Sequence, residues 1–222
     1  MKETSKTRKI WTAREFDILQ GSGIDIGGGS DCVGPNARRF DVEDGDANEI
    51  GRFVADRFDF VYSSHCLEHM YEPRSAILQW WSLVKPGGHL MFIVPDEDLY
   101  EQGVFPSRFN PDHKATFTVA KRRSWSPVSI NVLDLAGGLP GGAIVSLELQ
   151  DHNYDRRLYK HGPLPLSGPL AATIKRIYRG LRRRFSVRIR VLEWMLQKSE
   201  AIDQTLSPDV LAQIQCIVKK NL

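Results

Sequence analysis

Three short apolar segments, each ending abruptly in small or polar residues, restrict what this chain can fold into more than any other feature. They are Gly23-Ile24-Asp25-Ile26 before Gly27-Gly28-Gly29, Phe58-Asp59-Phe60-Val61-Tyr62 before Ser63-Ser64, and His89-Leu90-Met91-Phe92-Ile93-Val94 before Pro95 and the acidic Asp96-Glu97-Asp98. Apolar runs of this length, bounded by turn residues, read as buried strands. After the second, Ser63-Ser64 reads as a cap for a helix running through His65-Cys66-Leu67-Glu68-His69-Met70. Ser75 to Val84 predicts a further helix with apolar Ile77, Leu78, Trp80, Trp81 and Val84, stopped by Lys85-Pro86-Gly87-Gly88. Strands joined by helical crossovers lie parallel, so the expected class is α/β, a mostly parallel sheet with helices on both faces. Downstream, Tyr100 to Ser126 is loop-like, Ile130 to Leu135 a candidate helix, Ala143 to Leu149 a strand and Gln213 to Val218 a closing strand.

With 222 residues, 41% of them hydrophobic, the chain can bury one sizeable core. The expectation is a single domain over 1–222, its core at about 20–150 with a closing strand at 210–220. Between them 160–205 forms a basic helical insertion before the last strand. The opening residues are charged, and no apolar run approaches the roughly 20 residues of a membrane span, which predicts a cytoplasmic protein. Cys32, Cys66 and Cys216 are odd in number and far apart, which argues against a disulfide framework or a structural zinc site. The net charge of +3 hides an asymmetry, because residues 170–198 hold nine Lys/Arg against one Glu and leave the remainder acidic. Leu170, Ile174, Ile177, Tyr178, Leu181, Phe185, Ile189, Leu192 and Met195 recur there at helical spacing, as in a core-facing helix with solvated charges. The rival reading is peripheral contact with an anionic membrane, at its inner face, or with an acidic polymer. Aromatic residues for base stacking are sparse, which disfavours nucleic acid as a partner.

In an open parallel sheet, ligands sit beyond the carboxyl ends of the strands, where Gly27, Gly28 and Gly29 fall. Glycines let the backbone approach a ligand closely, and Asp25 can orient the turn or meet a ligand amine. A dinucleotide fingerprint fits poorly, since the third glycine of G-x-G-x-x-G is missing. The string Gly23-Ile24-Asp25-Ile26-Gly27-Gly28-Gly29 resembles the first motif of class I S-adenosylmethionine-dependent methyltransferases. Phe58 to His69, followed by Trp81-Ser82-Leu83-Val84-Lys85-Pro86-Gly87-Gly88, resembles the fourth strand, following helix and Lys-Pro-Gly-Gly turn of their type 11 group. The resemblance spans roughly residues 20 to 100, and implies a seven-strand Rossmann-like fold with S-adenosylmethionine as cofactor and S-adenosylhomocysteine as product. It implies a glycine turn around the methionine part at Asp25, Gly27, Gly28 and Gly29, and a ribose carboxylate at Asp41, with Glu43 as the alternative. It further implies an adenine-side pair at Asp46-Ala47, and Ser63, Ser64 and His65 at the methionine end. The chain departs from the pattern at Asp31, where a third glycine is often found. Only about ten residues separate Gly29 from Phe40, too few for the usual first crossover helix, so that helix or the second strand must be shortened.

The resemblance leaves the acceptor open, and its group includes many proteins acting on sugars or lipid-linked small molecules. The expectation is O-methylation of a sugar, glycan or lipid-linked small molecule. A neutral hydroxyl needs a base, and His113 with neighbouring Asp112 is the candidate, alongside His65; Asp96 and Glu97 are alternatives. His65 and His69 lie four apart, but position 66 lacks the Glu of an H-E-x-x-H site, so no metal is expected. Glu68-His69 reads as packing and hydrogen bonding to the sheet. The competing functions are a non-catalytic cofactor-binding module docked by its basic helix and an NAD-dependent sugar-modifying enzyme. The second lacks both a complete fingerprint and a visible Tyr-x-x-x-Lys pair.

Overall fold

The structure, a computed structural model, describes residues 2–162, 173, 176–178, 180 and 201–222. Its strands are β1 (Gly23–Ile26), β2 (Ala37–Phe40), β3 (Phe58–Ser64), β4 (Val84–Pro95), β5 (Thr116–Thr118), β6 (Ser129–Asn131), β7 (Gly142–Gln150) and β8 (Gln213–Lys220). Its α-helices are α1 (Glu3–Thr7), α2 (Ala13–Ile18), α3 (Pro73–Ser82) and α4 (Val132–Gly137). The main sheet has the order β2-β1-β3-β4-β8-β7, and β5 pairs with β6 in a small second sheet. β1 pairs in parallel with β2 and β3, and β3 with β4, whereas β8 is antiparallel to both β4 and β7. Five strands thus run one way and β8 returns between two of them.

Alternation along the central strands sends side chains into two cores. Phe60 and Tyr62 of β3, Met91 and Ile93 of β4 and Ile217 of β8 pack with Trp11, Val33, Ile18 and Leu19 on one face. Val61, Leu90, Phe92, Val94, Cys216 and Val218 meet Ile77, Trp80 and Trp81 of α3 on the other, together with Leu135 of α4. Because both faces are covered, the central strands read as continuous apolar runs. Pro73 opens α3, where its missing N–H is no loss. The α3 indoles also anchor the loops beside them: Trp80 Nε1 donates to Ala47 O at 2.9 Å and Trp81 Nε1 to Pro140 O at 3.0 Å.

Several expectations need correction. Six strands, not seven, form the main sheet among the described residues, and the chain between β2 and β3 makes a kinked 3-10 segment, Ala47–Arg52. The connection from β1 to β2 carries no helix, and β2 is itself only four residues long. No helix is capped at Ser63-Ser64: β3 runs through Ser64, His65 turns the chain at φ +52°, and Leu67–His69 is one 3-10 turn. Leu78 of α3 is exposed, while Val84 and the Lys-Pro-Gly-Gly turn already belong to β4. Ile130 belongs to β6, and α4 begins after Asn131, whose side chain accepts from Asp134 N at 3.1 Å. The proposed basic amphipathic helix at 170–198 lies mostly outside the described residues. Among the described residues no helix is long and apolar enough to cross a membrane.

Candidate functional site

The register places the site. Ile26 of β1 pairs with Phe40 on one side and Ser63 on the other, so Gly27, Asp41 and Ser64 follow at one level on three adjacent strands. The chain leaves β1 toward β2 and later returns to β3 on the other side, which makes this the crevice where strand order reverses. Two cavities open there and share Gly27. The first, about 370 Å³, is lined by Phe40, Asp41, Val42, Gly45, Asp46, Ala47, Cys66 and Met70. The second, about 330 Å³, is lined by the glycine turn through Asp31 and by Glu3, Thr4, Ser64 and His65.

The glycine turn is built from within. Gly27 has φ +78°, and a Cβ there would meet Cys66 Sγ at 2.7 Å; Gly29 has φ +50° and faces open space apart from Asp41 Oδ2 at 3.5 Å. Both the left-handed backbone and the close approach of the turn after β3 therefore require glycine at Gly27. Asp25 supports the turn from below, where its Oδ2 accepts from Val33 N at 2.6 Å while its buried Oδ1 has no partner. Burial raises the Asp25 carboxyl to about 7, against the backbone hydrogen bond from Val33 that lowers it. Asp31, in the place of the third glycine, accepts from Ser5 N at 2.9 Å and from the Ser5 hydroxyl, tying α1 to the turn.

Asp41 lines the first cavity, whereas Glu43 is exposed and pairs with Arg39. Asp46 caps the 3-10 segment, its side chain accepting from Asn48 N at 2.8 Å, and Ala47 is held by Trp80. Ser63 is buried and donates to Ile26 O at 2.9 Å, a link between β3 and β1 that faces neither cavity. Ser64 does line the second cavity, with its hydroxyl buried and unpartnered. The Cys66 thiol, pushed up to about 12 by burial, is a neutral wall of the first.

His65 is occupied on both ring nitrogens. Gln213 donates its amide to Thr7 and Gln150, which leaves its Oε1 to accept from His65 Nε2 at 3.0 Å. Nδ1 lies 3.4 Å from Glu68 Oε1. Burial alone would push the imidazole down, but the Glu68 carboxylate raises it to about 9. A carboxylate beside Nδ1 and an amide oxygen accepting from Nε2 both favour the protonated ring, which makes His65 a poor base. His113 is buried and pairs through Nδ1 with Glu101 Oε1 at 2.6 Å rather than with Asp112. Asp112 instead meets His69 Nδ1 at 2.9 Å. Glu97 is consumed by structure: it accepts from the hydroxyls of Ser124 and Ser129 at 2.8 and 2.6 Å and pairs with Lys121. Asp96 lines a third cavity, about 350 Å³, with Leu99, Lys121 and Arg156, and burial raises its carboxyl to about 6.

Sequence reasoning missed Glu3 and Thr4, which come to the site from the charged N-terminal stretch, and the partnership of Glu68 and Glu101 with His113. Nothing local in the sequence joins these positions.

A family model described as a methyltransferase domain matches residues 10–126, a little over half the chain. The chain therefore belongs to the methyltransferase domain family, an enzyme family whose methyl donor is S-adenosylmethionine, and its sheet is of the Rossmann-like kind expected. Among solved structures it is similar to an S-adenosylmethionine-dependent methyltransferase from Archaeoglobus fulgidus, at 16% identity over 99% of this chain and 95% of that one, with a TM-score of 0.49. It is also similar to Haemonchus contortus phosphoethanolamine N-methyltransferase 2, at 11% identity over 90% of this chain and 48% of that one, with a TM-score of 0.44. The search of curated proteins finds no match.

Proposed function

We propose that the chain transfers the methyl group of S-adenosylmethionine to oxygen, on a sugar, glycan or lipid-linked small-molecule acceptor. The observation that carries the cofactor part of this reading is the pair of cavities meeting at Gly27, one largely apolar with the carboxylates of Asp41 and Asp46 in its wall, the other polar. Each is of the size of a small-molecule site, about 300–1,000 Å³. The residues fit the cofactor. The Ser64 hydroxyl, which lines the second cavity, is a buried polar atom in want of a partner, whereas Asp25, expected at the ligand, lies beneath the turn and lines neither cavity. In this reading Asp41 accepts the two ribose hydroxyls, the wall of Phe40, Ala47 and Met70 takes the base, and the turn at Gly27–Gly29 with Ser64 and Glu3 holds the methionine end. The cofactor supplies an electrophilic methyl on a sulfonium, so the chain's own task is to hold the acceptor in line and to take its proton.

Oxygen as the atom methylated rests on His113. Glu101, as a carboxylate, accepts from Nδ1–H, which leaves the Nε2 lone pair of His113 unprotonated; the ring itself is buried beside Glu68, behind the turn 65–70, and lines neither cavity. The test is transfer from methyl-tritiated S-adenosylmethionine to a panel of saccharides, lipid-linked saccharides, amines and peptides. Label on a saccharide hydroxyl, lost in His113→Ala while S-adenosylhomocysteine still binds, is the expected result. Label on amines or peptides alone would overturn the acceptor reading, and unchanged turnover in His113→Ala would remove the proposed base.

A further inference from the structure

We propose that Glu68, His69 and His113 bind one divalent first-row transition cation of the Zn²⁺ or Mn²⁺ kind. One ligand atom from each of the three lies within 4.8 Å of the others. The Glu68 side chain is 1% exposed, yet neither of its carboxylate oxygens accepts a hydrogen bond. His65 Nδ1, 3.4 Å from Oε1, gives it an ion pair but not an aligned hydrogen bond. The His65 imidazole offsets its charge from one side, but both oxygens stay without a hydrogen bond, and buried polar atoms in that state are destabilising unless a donor or a metal meets them. The two imidazoles are already oriented as ligands. His113 Nδ1 meets Glu101 at 2.6 Å and His69 Nδ1 meets Asp112 at 2.9 Å, the carboxylate–histidine pairing that fixes the tautomer and leaves each Nε2 with a lone pair for a metal. His113 Nε2 stands 4.0 Å from Glu68 Oε1. Bonds of about 2.1 Å in a tetrahedral site would set such atoms about 3.4 Å apart, a contraction that small side-chain rotations can provide. Two imidazoles and one carboxylate favour a borderline transition ion over Mg²⁺, which prefers oxygen ligands and water.

The backbone supports the same grouping. Lys114 N and Ala115 N donate to Glu68 O at 2.8 and 3.3 Å, clamping the His113 loop to the turn that carries Glu68 and His69. Three protein ligands leave coordination positions open, and an acceptor hydroxyl bound there would give its proton to solvent more readily. That use of the cation rests on the methyl-transfer reading above, with the Nε2 lone pair of His113 serving as base in the cation-free protein and as ligand in the loaded one; the binding of the cation does not rest on it. The expectation of no metal came from the His65–His69 pair, whereas this site omits His65 and draws His113 from a distant loop.

The test is calorimetry and equilibrium dialysis of Zn²⁺ and of Mn²⁺ on the full chain, freed of metal by chelator and of any affinity tag. Glu68→Gln, the partly exposed His69→Ala and the control His152→Ala are run beside it, each checked for folding by circular dichroism and for S-adenosylhomocysteine binding. One equivalent of either ion at micromolar or better affinity, weakened at least tenfold in Glu68→Gln and His69→Ala but unchanged in His152→Ala, is expected. No stoichiometric uptake, or equal affinity in all four proteins, would overturn the site and leave Glu68 as the ion-pair partner of His65. Cation binding without S-adenosylhomocysteine binding would keep the site and sink the methyltransferase reading.

Discussion

At the scale of single residues, the site turns on carboxylates whose surroundings differ. Asp25 is buried with one oxygen unpartnered and titrates at about 7, well above the roughly 3.9 of an unfolded chain. Between those values the unfolded state has given up its proton while the folded state keeps it, so stability falls as pH rises from about 4 to about 7 and is level beyond. A shift of about three units corresponds to up to about 4 kcal/mol. Thermal melts of the cofactor-free chain should show Asp25→Asn gaining on the parent protein across that window, with a constant difference above it; a difference that does not change with pH would contradict this account. Asp41 offers the complementary case. Removal of a carboxylate that accepts two hydroxyls costs about 1.5–3 kcal/mol, so Asp41→Ala should weaken S-adenosylhomocysteine about 10- to 100-fold with little change in the melt. Sequence reasoning named Gly27, Gly28, Gly29, Asp41 and Ser64, which line the two cavities, because strand ends are readable. It placed Ser63 toward the ligand only because alternation at the last residues of a strand is ambiguous until the neighbouring β1 fixes its face.

Elements link packing to the cavity walls. Trp80 of α3 is fully buried in one core and donates to Ala47 O, so the helix fixes the segment that lines the first cavity. Trp80→Ala should destabilise the chain by about 3–5 kcal/mol in urea unfolding, and weaken cofactor binding even where the protein remains folded. Binding equal to the parent in the folded fraction would show that the Ala47 segment does not depend on α3. α3 itself was legible from its period and its stop signal. The helix expected after Ser64 was not, since apolar Leu67 and Met70 fit helical spacing equally well on a turn. What the spacing could not show is that both are buried against the sheet while Glu68 turns inward beside His113. Helix α1 was also hidden: Glu3, Thr4, Lys6 and Thr7 look like a solvated run, yet they are buried, with Lys6 paired to Glu3 and donating to Thr205 O. Such polar burial depends on partners some two hundred residues away, and no local pattern carries it.

Over the whole molecule, the parallel order and the crevice followed from three strand-ending motifs, because a sheet covered on both faces demands continuous apolar runs. The short first crossover was legible as a count of residues. That the described residues between β2 and β3 form no strand was not, because the segment from Ala47 to Arg52 has no distinctive pattern and takes its 3-10 form from packing on α3. The loops after β4 are the least readable part of the sequence, since they are joined by contacts between distant positions such as His113 with Glu101. The central claim is that the two cavities meeting at Gly27 hold S-adenosylmethionine, and calorimetric titration of the full chain with S-adenosylmethionine, S-adenosylhomocysteine and NAD tests it most directly. The account predicts micromolar binding of the first two, weakened in Asp41→Ala, and none of NAD; no binding of either sulfur compound, or a preference for NAD, would contradict it.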